Sequence, residues 1–413
     1  MSTDAIEPVA RIPPDDAASG PERSMALCLS GGGYRAMLFH LGALWRLQEL
    51  GFLNATATAT RASDLGPLAR ISSVSGGSLT AGLLALNWSQ CKTDDPSPAT
   101  RVAAFVDAMV RPIRAMAHVN VAGYNFAAAF KLIVAIVLPG SVNNYVTRQY
   151  RNHLYGEAKL ADIVGEPRFV INASNLQSGA LWRFTKRYMW DWRVGKVADT
   201  RLVELAQAVS ASSAFPPPLS PAKLRFREAD YTPGSGGRGA YDLQRPPFTT
   251  RPMLTDGGVY DNLGLETAWK NHRTILVSDA GRAIPADPGP GIDWLSQGLR
   301  SIDIIQSQVR STRVRDLIKS YLAPPTDPSF RSGCYWGAGS DISNYPSASP
   351  LPCPISATSK LAAVVTDLAD KDDLLQDRLI NWGYAICDVA VRSWLDTSLP
   401  APSKFPYPSS GVG

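Results

Sequence analysis

Apolar positions along the chain fall into two rhythms. Short unbroken apolar runs at Ala26–Ser30, Ala69–Val74, Arg168–Ala173 and Thr274–Asp279 read as buried strands, and Ala180–Thr185 as a further one. Between them the spacing lengthens. Met37, Leu41, Leu44 and Leu47 recur at three and four residues, so Ala36–Leu50 reads as a helix that Gly51 caps. The small residues and leucines of "SGGSLTAGLLALNW" suit a second helix packed tightly on a sheet. Residues 101–135 read as mostly helical. Arg201–Ser212 reads as a helix that must stop at Pro216, Pro217 and Pro218. Trp294–Tyr321 is a long amphipathic helix, and Ser359–Trp394 holds the closing helices. Strands and helices alternate, which predicts an α/β fold with a mainly parallel sheet covered on both faces.

This pattern occupies residues 24–398, read as one domain. Residues 1–23 are polar, acidic and proline-containing, without the basic start and apolar stretch of a signal peptide. They predict a disordered tail on a cytoplasmic protein. Two stretches rich in proline and glycine, near 216–252 and 324–354, read as irregular insertions, and 399–413 as a loose tail. Phe126–Leu138 is strongly apolar but carries Lys131. It is not long and apolar enough to mark a membrane span by itself, and it reads first as a buried helix, next as a surface helix that dips into a bilayer, and last as a true span.

With 45% hydrophobic and 19% charged residues among 413, a sizeable core can form. The formal net charge of +5 fits a modest attraction to an anionic membrane surface and is too weak to argue for nucleic acid. Cys28, Cys91, Cys334, Cys353 and Cys387 are scattered, odd in number and form no CxxC pair. They read as reduced thiols without a zinc site.

Three short stretches carry chemistry. In "LCLSGGGYRAM", Gly31, Gly32 and Gly33 sit between a strand and a helix, with Arg35 just behind. Three glycines there allow either an unusual bend or a close approach of backbone N–H groups to a ligand. A phosphate loop fits poorly, because no G-K-[ST] follows. In "ISSVSGGSLTAG", Ser75 stands where a strand ends, followed by Gly76 and Gly77 and a helix, the layout of a nucleophile elbow. Ser73 replaces the first glycine of the usual G-x-S-x-G. In "LTDGGVYDNLG", Asp256 and Asp261 are two acidic candidates around Gly257 and Gly258. A serine nucleophile usually needs a histidine base, but none of His40, His118, His153 and His272 is persuasively placed. His40 reads as packed and His272 as a surface residue. An aspartate acting directly on serine remains.

Taken together and in this order, the three stretches resemble the patatin-like phospholipase family, whose three-layer α/β/α fold uses a Ser–Asp dyad without histidine. "SGGGYRAM" is especially similar to the loop of cytosolic phospholipase A2, a relative of the patatins, and "AVSASSAFPPP", Ala208–Pro218, resembles the helix end that precedes the patatin aspartate. The likeness runs from about Ala26 to Gly281, and "LINWGYAICDVAVRS" looks like the closing helix of bacterial members. It implies that Ser75 is the nucleophile and Asp256 the general base, with Gly31, Gly32 and Gly33 forming the oxyanion hole. Arg35, Gly77, Gly257 and Gly258 would support them. The implied activity is hydrolysis of fatty-acyl esters of phospholipids or lysophospholipids at a peripheral membrane surface, with no cofactor and no metal. Acyl transfer through the same acyl-enzyme, and a non-catalytic lipid-binding protein on this fold, are the alternatives.

Overall fold

The computed structural model describes residues 21–53, 65–92, 97–121, 140–233, 241–282, 284, 286–347 and 349–413. The expected apolar helix at 126–138 and nearly all of the expected tail at 1–23 lie outside the described residues.

Strand β1, Glu22–Leu29, alternates strictly in what it buries. Met25, Leu27 and Leu29 enter the large core on one face, while Ala26 and Cys28 enter a smaller cluster on the other. A strand buried on both faces must be apolar throughout, which is the run seen in the sequence. On either side of β1 lie β2, Leu68–Val74, and β9, His272–Asp279, both parallel to it. Beyond β2 lies β3, Arg168–Asn175, and beyond β9 lies β10, Ser332–Gly337, again parallel. This five-stranded parallel centre continues into an antiparallel margin of β4, Leu181–Phe184, β5, Met189–Asp191, and β6, Gly195–Val197. β8, Met253–Asp256, pairs antiparallel with β3 and with the short β7, Ala222–Lys223.

Helix α1, Gly33–Glu49, is buried along nearly its whole length, between the sheet, α2 (Gly76–Leu86) and the closing helix α5 (Asp373–Trp394). Being enclosed on all sides, it carries few charges. Arg46 is held by Asp388 of α5 at 2.8 Å. α3, Leu205–Ser212, ends beside β3 and β8. α4, Trp294–Leu322, packs through Leu317 on the other face of the sheet. Among the described residues no helix is long and apolar enough to cross a membrane.

Several expectations change. The stretch 324–354 is not wholly irregular, because it contributes β10 to the sheet. The 216–252 stretch likewise supplies β7. Residues 399–413 carry no helix or strand, yet they are not loose. Asn381 donates to the carbonyls of Tyr407 and Gly411 at 2.8 and 2.7 Å, and Leu399, Phe405 and Val412 are buried. All five cysteines are free and buried.

Candidate active site

Three parallel strands that carry a site loop end at the same edge of the sheet. β1 runs into the glycine loop, β2 into Ser75, and β9 into Asp279–Gly281. β8 arrives antiparallel to β3 and brings Asp256 to the same place, opposite Ala173. Ser75 and Asp256 line one cleft of about 360 Å³ with Gly31, Gly32, Arg35 and Gly258.

Ser75 sits at the turn between β2 and α2 with φ 50° and ψ −120°. For a residue with a side chain this is a strained backbone, held by its surroundings. Its N–H donates to Ser212 Oγ at 3.0 Å, and Ser212 Oγ donates on to the Asn172 carbonyl at 2.6 Å. The Ser75 side chain lies close enough to the Asp256 carboxylate to help hold its proton affinity down. That carboxylate accepts the Gly258 N–H at 2.7 Å. Burial raises the Asp256 carboxyl to about 6, and Gly258 and Ser75 oppose the rise. Such a group is mostly ionised at neutral pH but close enough to it to exchange a proton.

Gly32 has φ 145° and Gly33 has φ 59°, conformations that side chains disfavour. A Cβ on Gly33 would strike the Asp367 backbone, and one on Gly32 would lie 3.1 Å from the Ala280 carbonyl oxygen. Among the described residues, no protein acceptor takes the N–H of Gly32 or Gly33. Gly31 differs. Its N–H is donated to the Asn262 carbonyl at 3.0 Å, which corrects its expected place among the oxyanion donors. Gly77 and Gly257 allow close backbone approaches, to the carbonyl oxygens of Leu29 and Ser30 and to that of Asn172.

Arg35 is fully buried. Its Nε and Nη2 donate to the Ala280 carbonyl at 3.2 and 2.7 Å, and Nη1 donates to the Val364 carbonyl. It therefore pins the glycine loop to the end of β9 and to the segment before α5. Burial, with Arg282 and Arg310 nearby, lowers its guanidinium to about 10.

The other candidates separate cleanly. Asp261 does not line the cleft. It accepts the N–H groups of Leu263 and Glu266 at 3.1 and 2.7 Å and lies 3.7 Å from Arg313. His40 is buried with both ring nitrogens engaged, to Ser278 Oγ at 2.8 Å and the Ser30 carbonyl at 2.9 Å. Burial lowers it to about 4, so it is neutral and structural. His272, expected at the surface, is buried against Ser24 at 2.7 Å. Among the described residues, no three His, Cys, Asp or Glu side chains gather as a metal centre would need.

Two cleft residues escaped the sequence reading. The Asn262 side chain wedges between Gly31 and Gly258, with its Oδ1 close to both backbones. Its position six residues after Asp256 was the available signal. Arg282 lies just past β9, and nothing in its local sequence marks it.

Residues 27–269 match the family model described as patatin-like phospholipase. No curated protein matches the chain. Among solved structures, human GIVD cytosolic phospholipase A2 is similar at 13% identity and a TM-score of 0.48, over 88% of this chain and 58% of that one. VipD from Legionella pneumophila is similar at 14% identity and a TM-score of 0.33, over 91% of this chain and 68% of that one. The chain thus spans a little over half the length of the human protein.

Proposed function

The chain belongs to the patatin-like phospholipase family of lipid acyl hydrolases, and on that premise we propose that Ser75 and Asp256 hydrolyse fatty-acyl esters of phospholipids or lysophospholipids. The observation that carries this reading is the strained Ser75 turn set in one cleft with the buried Asp256 carboxylate, beside the acceptor-free N–H groups of Gly32 and Gly33.

The steps follow from that arrangement. Ser75 Oγ attacks the ester carbonyl carbon while its proton passes to Asp256. The carbonyl oxygen gains negative charge and is held by the Gly32 and Gly33 N–H groups, each such donor being worth roughly 2.7–4 kcal/mol in the transition state. The tetrahedral intermediate collapses, the bond to the alkoxy oxygen breaks, and Asp256 returns the proton to the leaving alcohol. A water that loses its proton to Asp256 then attacks the acyl-serine, the bond to Ser75 Oγ breaks as the fatty acid leaves, and Asp256 returns the proton to Ser75. Phe215, Ile284 and Val365 give the cleft an apolar wall for the acyl chain. The substrate resides in bilayers and micelles, so the protein works as a peripheral partner of a lipid surface.

A fluorophosphonate probe tests the nucleophile, since it labels only an activated serine. Wild-type protein is expected to label and to release fatty acid from a phospholipid, and Ser75→Ala to do neither. Labelling that persists in Ser75→Ala overturns the assignment. Running the reaction with added alcohol and identifying the products separates hydrolysis from acyl transfer.

A further inference from the structure

Four guanidinium groups face the cleft, from Arg35, Arg282, Arg300 and Arg310. Two of them are already engaged by the fold. Arg35 is saturated by the backbone carbonyls described above. Arg310 donates to Asp279 at 2.8 Å, and the Tyr335 hydroxyl donates to the same carboxylate oxygen at 2.7 Å. Arg282 is different. It is half-buried, lines the cleft with Ser75, and makes no ion pair or hydrogen bond among the described residues. The carboxylate facing it on α4 is Asp303, which feels Arg282 and Arg300 but lies outside ion-pair distance of Arg282. The Asp303 carboxyl is raised by burial, and the two arginines only oppose that rise. The positive field is also felt at Arg35, which Arg282 and Arg310 both push down.

A guanidinium partly out of water and without a carboxylate favours an incoming anion, and its planar fork matches phosphate oxygens two at a time. We propose that Arg282 is the phosphate-recognising residue of the cleft, binding the phosphate of a glycerophospholipid whose acyl ester lies at Ser75. The assignment rests on the reading of Ser75 as the site of ester attack. It selects, among acyl esters, those carrying a phosphate on the same glycerol, and it gives Arg282 the role that buried Arg35 is not free to take.

The test uses two short soluble ligands that differ only in phosphate, hexanoylglycerol and hexanoylglycerol phosphate. Binding is measured by calorimetry to full-length Ser75→Ala, so that turnover does not interfere. The phosphorylated ligand is expected to bind at least about tenfold more tightly. Adding Arg282→Gln is expected to erase the difference, and Arg282→Lys to restore part of it. In the Ser75 protein the same substitution should collapse the kcat/KM ratio between the two esters. Equal affinity for both ligands, or a preference unchanged by Arg282→Gln, overturns the proposal. Inorganic phosphate is the third probe. If Arg282→Gln weakens only inorganic phosphate and leaves the ester preference intact, the site takes free phosphate and the headgroup assignment is wrong. Failure of the hydrolase reading has another signature, the absence of fluorophosphonate labelling in wild type with the binding preference still present.

Discussion

The Ser212 hydroxyl oxygen accepts the backbone N–H of Ser75 at 3.0 Å, across 137 residues of sequence. The Ser212 carbonyl meanwhile accepts the N–H of Gly257 at 3.1 Å, and the next turn's Ala214 carbonyl accepts that of Asp256 at 3.0 Å. One helix end thus clamps both the strained serine turn and the aspartate turn, and fixes the distance between their side chains.

Ser212→Ala removes the clamp on Ser75 while leaving the backbone bonds to Asp256 and Gly257. Loss of a buried hydrogen bond of this kind costs about 1–3 kcal/mol. We expect a fall of one to two orders of magnitude in kcat with little change in KM, and a modest drop in melting temperature. An unchanged kcat in steady-state assays refutes the clamp.

The pH dependence follows from Asp256. As the proposed base it must be ionised to take the serine proton, and burial raises its carboxyl to about 6. Activity is therefore expected to rise with pH through 6 and to level off above 7. Stability runs the other way. The folded pKa lies above the ordinary 3.8, so the folded state holds the proton more tightly, and this group's contribution falls as pH rises from 3.8 through 6. Asp256→Asn, which removes the buried charge, should be inactive yet at least as stable as wild type at pH 8, by up to about 3 kcal/mol. Urea unfolding at pH 5 and pH 8 measures both proteins.

Gly32→Ala places a side chain at φ 145° in a loop already tight against Ala280. The N–H of this residue should then leave its aim on the developing oxyanion. A fall in kcat of about 10²–10³ is expected, with KM changed far less. If only KM moves, the loop binds substrate and does not stabilise the transition state.

His40 offers a control. It bridges Ser30 at the end of β1 to Ser278 at the end of β9, and it is already neutral because burial holds it at about 4. His40→Gln should lower stability and leave the activity limb near pH 6 in place. Disappearance of that limb would return the base role to histidine.

Much of this site was readable from the chain. β1, β2, β3 and β9 are buried on both faces, so each is an apolar run, and β1 and β2 each end at a motif. The elbow and the aspartate were visible because turns restrict residue type. β10, "SGCYWG", was missed because it is short, has glycine near its start and at its end, and lies in a proline-rich stretch, and its identity as a strand comes from pairing with β9. The tail after Pro400 was misread because its order comes from Asn381 side-chain bonds, which leave no local pattern. Gly31 was grouped with its neighbours because sequence cannot tell which N–H already has an acceptor. Arg282 was invisible for a related reason, since an unpaired charge is defined by what fails to surround it.

The glycine loop is fastened from far along the chain. Arg35 holds the Val364 carbonyl, and the Tyr34 N–H holds that of Asp367 at 2.9 Å, both well past the family match that ends at 269. A ribosome delivers the chain from its N-terminus, and residues 31–35 leave the exit tunnel long before their anchors. A nascent chain can therefore carry both Ser75 and Asp256 outside the ribosome and still lack a rigid oxyanion loop. On the proposed function, activity is expected to appear only once residue 367 has emerged. A chain stopped after Ala363 should accordingly resist fluorophosphonate, while the full chain made in the same extract reacts.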